Sequence, residues 1–70
     1  AGEITEAIYA AIQEGRTFYA DRVARRATVR EEAARLGCSF IEMNDIEHGR
    51  EVKTEAGRMA LEMRRAELRK

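Results

Sequence analysis

Apolar side chains recur along this chain with the spacing of amphipathic helices. Near the start they repeat every three or four positions and form a single stripe, made of Ile4, Ala7, Ile8, Ala11 and Ile12. This spacing predicts a helix over residues 3–14. Gly15 follows at once, and because glycine readily takes the left-handed conformation beyond a helix end, it predicts that the first helix stops there.

Two further helices are predicted on either side of the centre of the chain. Thr17 can cap a helix over residues 17–26, whose inward face would hold Phe18 or Tyr19, Ala20, Val23, Ala24 and Ala27. Thr54 can cap a last helix over residues 54–69. Its apolar set at helical spacing is Ala56, Met59, Ala60, Met63 and Ala66, while Leu61 and Leu68 lie on another flank.

The stretch between these helices has the pattern of two very short helices joined by a turn. Each opens with a hydroxyl residue followed three positions later by glutamate, first Thr28 with Glu31 and then Ser39 with Glu42. In this capping box the hydroxyl accepts a bond from a first-turn N–H, and the carboxylate accepts one from the N–H of the cap. Gly37 falls where the first short helix must end, so the turn is predicted to be about three residues long.

The same periodicity predicts which side chains of this central unit face inward. They are Val29, Ala33, Leu36, Met43 and Ile46. The chain contains no proline and is rich in Ala, Glu, Arg and Leu, which all favour helices. We therefore expect a single all-α domain over residues 1–70, a small four- to five-helix bundle that contains a helix-turn-helix at residues 28–48.

The centre of the chain resembles a known family. The resemblance is carried by Thr28, Ala33, the run Leu36-Gly37-Cys38-Ser39, Met43, the run Asp45-Ile46-Glu47, and Gly49-Arg50. These residues are similar in type and register to the helix-turn-helix of the Cro/cI repressor class, also called the xenobiotic-response-element family. The chain departs from that pattern at Glu32, where the family often has an apolar residue, so a thinner local core is expected there.

The resemblance implies a DNA-binding surface on the second short helix and its flanks. Residues expected to contact base edges in the major groove are Ser39, Phe40, Ile41, Asn44 and Asp45. Residues expected to lie near the phosphate backbone are Arg25, Arg26, His48 and Arg50, although the two adjacent arginines also suit an ordinary solvated helix surface. The function implied is a small sequence-specific transcriptional repressor of phage, plasmid or antitoxin type, which binds operator DNA as a dimer.

The small size of the chain favours association with a second copy. A domain of 70 residues buries only about 60% of the surface that its unfolded chain exposes, and dimerisation adds apolar burial. Residues expected at a homodimer contact are Ile4, Ile8, Ile12, Leu61 and Leu68. The first helix could instead bury part of its stripe in its own core, and both uses remain open.

The charge composition leaves two functions open. Thirteen basic and thirteen acidic side chains cancel, so the chain lacks the overall positive charge of many nucleic-acid-binding proteins. Glu42 and Asp45 would face a polyanion, and an exposed pair of Phe40 and Ile41 beside them is also typical of a protein-binding patch. The alternative hypothesis is therefore a helix-turn-helix scaffold that acts as a protein-protein interaction module or inhibitor.

Catalysis and cofactor binding are not expected from the sequence. There is no Gly-rich phosphate loop and no nucleophile beside a base, and a lone Cys38 with a lone His48 makes no metal ligand set. Cys38 is predicted to fill core space in the turn. No apolar segment is long enough for a signal peptide or a membrane span, so we expect no membrane contact and a cytoplasmic location.

Overall fold

The fold is taken from a computed structural model, which describes residues 5–69. Within that range the chain forms four α-helices and no β-strand. The helices are α1 (Glu6–Ala24), α2 (Val29–Leu36), α3 (Phe40–Glu47) and α4 (Glu55–Leu68). The predicted all-α fold class is confirmed. Ile4, a predicted dimer residue, lies outside the described residues.

Helix α1 is a single helix where the sequence predicted two. Gly15 lies in its interior and is buried, and the Thr17 hydroxyl donates to the Gln13 carbonyl (3.1 Å) instead of capping a new helix. The predicted break at Gly15 is therefore wrong. The glycine is needed for packing, since a Cβ at this position would lie 2.5 Å from the carbonyl oxygen of Glu47 at the end of α3.

A second glycine completes this helix crossing. Gly49 has a φ of 70°, and a Cβ there would lie 2.7 Å from the carbonyl oxygen of Ala11 in α1. Only a residue without a side chain can combine that backbone conformation with that approach. Together Gly15 and Gly49 let the backbones of α1 and the end of α3 come into direct contact.

Helix α1 ends in a left-handed residue that is not glycine. Arg26 has a φ of 58°, its N–H donates to Val23 O (2.9 Å), and the N–H of Ala27 donates to Arg22 O (3.2 Å). This is the bonding pattern of a Schellman motif, in which the left-handed position is usually glycine. A side chain in this conformation costs about 1–2 kcal/mol, so Arg26 occupies a strained position.

The apolar core lies where α1, α2, α3 and α4 meet. Its buried apolar residues are Phe18, Ala33, Leu36, Met43, Ile46 and Ala60, with Val29, Cys38, Val52 and Leu61 packed against them. The inward positions predicted for α2 and α3 agree with this core. On α1 the inward aromatic residue is Phe18, while Tyr19 and Val23 are exposed.

The apolar set predicted for α4 is only partly buried, because Ala60 lies in the core but the methionines do not. Met59 and Met63 are exposed, and the buried residues of this helix are Gly57, Ala60 and Arg64. The rotation follows from Arg64, which is only 1% exposed and packs its guanidinium over the ring of Phe18 at 4.8 Å from the centroid. A charged side chain thus takes the place that an apolar one was expected to fill.

The interior also contains an ion-pair network that the sequence did not reveal. Glu47 accepts hydrogen bonds from Arg22 Nε (2.7 Å) and from Arg64 Nη1 (2.8 Å), and Arg64 Nη2 donates to the Phe18 carbonyl (2.6 Å). Within residues 5–69 no buried side-chain nitrogen or oxygen lacks a partner. The network is therefore fully hydrogen-bonded, which buried charges require.

Glu32 is the second carboxylate of this network. It is buried and accepts bonds from Arg25 Nη2 (2.6 Å) and Arg35 Nη2 (2.9 Å), and Arg64 Nε lies 3.3 Å away. Burial by itself would raise the pKa of Glu32, but the three guanidinium groups reverse that effect and hold its pKa at about 2. The expected thin core at this position is thus replaced by a dense charge cluster.

Candidate nucleic-acid interface

Helices α2 and α3 are both opened by the predicted capping boxes. The Thr28 hydroxyl accepts from Glu31 N (3.1 Å) and the Glu31 carboxylate accepts from Thr28 N (2.8 Å). Ser39 and Glu42 make the same two bonds at 3.1 and 2.8 Å. In both boxes the hydrogen bonds to the cap residue lower the pKa of the glutamate, so the boxes are made with ionised carboxylates.

The turn between these helices is a glycine corner. Gly37 has a φ of 77°, and the N–H groups of Gly37 and Cys38 both point to the Ala33 carbonyl. Cys38 is half-buried against the core, and burial raises the pKa of its thiol. Because α2 stops here and α3 restarts at Ser39, the axis of α3 takes a new direction within three residues.

The N-terminus of α3 is also tied to α4. The second carboxylate oxygen of Glu42 accepts from the hydroxyl of Thr54, the N-cap of α4, and Thr54 Oγ1 accepts from Gly57 N (3.0 Å). Gly57 is closely packed, since a Cβ there would lie 2.6 Å from Val52 Cγ1. One carboxylate therefore joins the caps of two helices and fixes where α3 begins.

The residues predicted to contact base edges lie on one outward face of α3 and its cap. Ser39 is exposed, Phe40 is 43% exposed and Ile41 is 69% exposed, while Asn44 and Asp45 are half-buried. The opposite side of the helix is anchored in the core by Met43, Ile46 and Glu47. The face is thus accessible to a partner and is carried by a helix that cannot rotate without breaking the core.

The residues predicted to contact phosphate have different surroundings. His48 is exposed and its Nδ1 lies 2.8 Å from the Asn44 carbonyl, and Arg50 Nη1 donates to Asp45 Oδ1 at 3.4 Å. Arg26 is exposed at the end of α1. Arg25 instead donates to Asp21 and Glu32, and these bonds raise its pKa further above the ordinary arginine value. Its guanidinium is engaged in the structure of the monomer.

Two cationic side chains that border the outward face of α3, Arg30 and Lys53, were not among the residues predicted from the sequence. The Arg30 guanidinium lies over the ring of Phe40 at 5.0 Å. Lys53 lines an open cleft of about 420 Å³ with Ile41 and Arg50. Arg30 could have been found from its place in the first turn of the predicted helix-turn-helix, but the position of Lys53 depends on how the loop after α3 folds back.

A second cleft lies on the other side of α3. It has a volume of about 370 Å³, and its lining residues are Arg16, Tyr19, Arg22, Val29, Asn44, Glu47 and His48. Arg16 and Tyr19 come from the middle of α1, a region that the sequence divided between two helices. Once α1 is continuous, these residues lie one helical turn apart and face α3 together.

Paired and unpaired charges surround the outward face of α3. Asp45 is paired with Arg50, and the Glu42 carboxylate is used in the two caps. Among residues 5–69, no carboxylate lies within 4.0 Å of the side-chain nitrogens of Arg16, Arg26, Arg30 and Lys53. Charges of both signs therefore border α3, since the carboxylates of Glu42, Asp45 and Glu51 line the same cleft as Arg50 and Lys53.

The predicted dimer residues that the structure describes differ in exposure. On α1, Ile8 is 49% exposed and Ile12 is half-buried. On α4, Leu68 is exposed, but Leu61 is half-buried and packs against the core of its own chain. Among the described residues of this set, one exposed residue therefore lies on α1 and one on α4.

The described part of the chain shows two further features that bear on function. In residues 5–69, no group of three or more His, Cys, Asp or Glu side chains is arranged to hold a metal ion. None of the four helices in that range is long and apolar enough to cross a membrane. Comparison with protein-family models, with curated proteins and with solved structures gives no match.

Proposed function

We propose that this protein binds double-stranded DNA, with α3 in the major groove, and acts as a small sequence-specific transcriptional regulator. One observation carries the proposal. The outward side chains of α3 lie between two clefts, and cationic side chains without a carboxylate partner border both of them. A helix flanked in this way can enter a groove about 12 Å wide while the cations on either side meet the phosphates.

The outward side chains of α3 can distinguish base pairs. The amide of Asn44 can pair with adenine, the apolar side chain of Ile41 can contact the thymine methyl group, and the Ser39 hydroxyl can donate or accept. Asp45 can accept from cytosine N4 while Arg50 keeps its charge balanced. We expect Asn44 and Asp45 to contribute most of the sequence preference.

The sequence-independent part of the affinity would come from the flanking cations. Arg26, Arg30 and Lys53 are exposed in the monomer and can neutralise phosphates with little rearrangement. Arg50 is also exposed but bonds Asp45 through Nη1, so a phosphate would share its guanidinium with that carboxylate. Arg25 is assigned a structural role instead, because it holds the buried Glu32. The exposed His48 adds a further polar contact at the end of α3.

We propose that the active form is a homodimer. The first turns of α1 are exposed on all sides, and Ile8 would pack against its counterpart in a second copy. Two copies related by a two-fold axis would place their α3 helices in successive major grooves, about 34 Å apart. Analytical ultracentrifugation tests this: the wild type should sediment with the mass of a dimer and Ile8→Glu with the mass of a monomer. An Ile8→Glu variant that still sediments as a dimer would argue against this contact.

The DNA-binding proposal is tested by titrating a labelled random-sequence duplex at two salt concentrations. We expect a steep fall of affinity with salt, because each neutralised phosphate adds about −0.9 to the slope of the logarithm of the binding constant against the logarithm of the salt concentration. Arg50→Ala should weaken binding to all sequences alike, whereas Asn44→Ala should change which sequences a selection recovers. Arg69→Ala serves as the matched control, since Arg69 lies at the end of α4, away from α3.

The alternative is that α3 binds another protein. It is favoured by the exposure of Ile41 (69%) next to Phe40, an apolar pair that would fit a protein partner as well as a thymine-rich groove. In that case random-sequence DNA would not bind even at low salt, and Ile41→Ser would abolish capture of the partner. Absence of DNA binding by the folded wild type would reject the regulator.

A further inference from the structure

The cleft between α1 and the C-terminal half of α3 has a distinct set of polar groups. Arg16 and Tyr19 border it from α1, Asn44 and His48 border it from α3, and α2 begins there with Val29. Three helices therefore converge on one concave site of about 370 Å³. The residues named above for base and phosphate contacts do not include Arg16 or Tyr19 of α1.

The side chains from α1 are available to a ligand. Arg16 is exposed, and no carboxylate of residues 5–69 lies within ion-pair distance of it. Tyr19 is 54% exposed, and its ring is held by the Arg22 guanidinium, which lies 5.3 Å from the ring centroid. Because Arg22 is itself bound to Glu47, the phenol is positioned by the buried network beneath it.

The floor of the cleft carries no uncompensated negative charge. Glu47 is its only carboxylate, and both oxygens of that group accept from Arg22, while Arg64 donates to one of them. Burial opposes ionisation of Glu47, yet these bonds bring its pKa below the ordinary value, so the charge is present and paired. Because Arg22 and Glu47 neutralise each other, the charge of Arg16 makes the cleft lining positive overall.

We infer that this cleft binds a phosphate of the DNA backbone through the Arg16 guanidinium and the Tyr19 hydroxyl. The inference rests on the proposed function. It makes α1 a second contact that fixes the register of α3 along the groove.

The test is a salt titration of a labelled random-sequence duplex with wild type, Arg16→Ala, Arg16→Lys and Tyr19→Phe. Arg16→Ala should lower the log–log salt slope by about 0.9, so that its loss of affinity between 50 and 200 mM salt is about 3.5-fold smaller than that of wild type. Arg16→Lys should keep the wild-type slope. Tyr19→Phe should weaken binding several-fold with little change in slope, because it removes a neutral donor.

The control and the contrary outcomes separate this inference from the proposed function. Arg69→Ala removes an exposed cation whose cleft contains no residue of α2 or α3, and it should leave the slope within error of wild type. If wild type binds DNA but Arg16→Ala behaves like Arg69→Ala, the phosphate site is rejected and the regulator stands. If folded wild type binds no DNA, both are rejected. Circular dichroism melting confirms that each variant folds.

Discussion

Replacing Gly15 with alanine tests the helix crossing that holds α3 in place. In an exposed helix interior this change would stabilise the protein by about 1 kcal/mol, because alanine is the better helix former. Here the new Cβ would lie 2.5 Å from the Glu47 carbonyl oxygen and 3.0 Å from Gly49 N. The atoms that must move belong to the backbone of α3, which is anchored in the core.

The expected cost follows from these distances. Normal contact between the two atoms is about 3.4 Å, so α1 and α3 must separate by nearly 1 Å, and overpacking of this kind costs about 1–3 kcal/mol or more. Because the clash is with backbone atoms, we take the upper end of this range, about 3 kcal/mol, and after the gain of about 1 kcal/mol in helix propensity we expect a net destabilisation of about 2 kcal/mol. For a domain of 70 residues this corresponds to a fall of about 10 °C in Tm.

The measurement is the free energy of unfolding by urea, with Gly37→Ala as the matched control. At Gly37 a Cβ would have no atom within 4 Å, so only the strain of a φ of 77° remains. That strain costs about 1–2 kcal/mol and is partly offset by the lower entropy of the unfolded chain. We therefore expect Gly15→Ala to be the less stable variant. A Gly15→Ala protein as stable as wild type would show that α1 and α3 do not cross this closely.

Three further predictions concern the charged interior and the end of α1. The depressed pKa of Glu32 stabilises the fold only while the group is ionised, so as pH falls from about 4.5 towards 2 its contribution to the free energy of unfolding should drop by about 3 kcal/mol. In urea titrations at each pH, wild type should therefore lose about 3 kcal/mol more than Glu32→Gln over this range. Arg64→Met should destabilise by about 3–5 kcal/mol in urea, since it leaves Glu32 and Glu47 short of a partner. Arg26→Gly should relieve the left-handed strain, raise the free energy of unfolding by up to about 1 kcal/mol and so raise Tm, and it should weaken DNA binding.

Each of these has a contrary outcome. A flat stability between pH 4.5 and 2 would mean that Glu32 is not ionised in the folded protein. An Arg64→Met variant of wild-type stability would show that the apolar replacement compensates for the lost pairs. Arg26→Gly with a lower Tm would mean that the arginine side chain contributes more to the fold than its strained backbone costs.

Local signals in the sequence were sufficient for the centre of the chain. The two capping boxes, the left-handed glycine at position 37 and the start of α4 at Thr54 all depend on bonds between residues three or four positions apart. Such bonds are encoded by residue type and spacing. The outward face of α3 could therefore be located from the sequence, while its function stays a prediction.

Only the tertiary structure decided what the distant residues do. Gly15 was predicted to end a helix, and its real constraint is the backbone of Glu47, which the chain brings back only after α2 and α3 have formed. In the same way Arg64 is buried because Glu47 and the Phe18 carbonyl meet it inside the fold, which rotates α4 and exposes its methionines. Periodicity records whether a side chain is apolar, but the burial of a charge or the role of a glycine depends on partners that are far apart in sequence and close only in space.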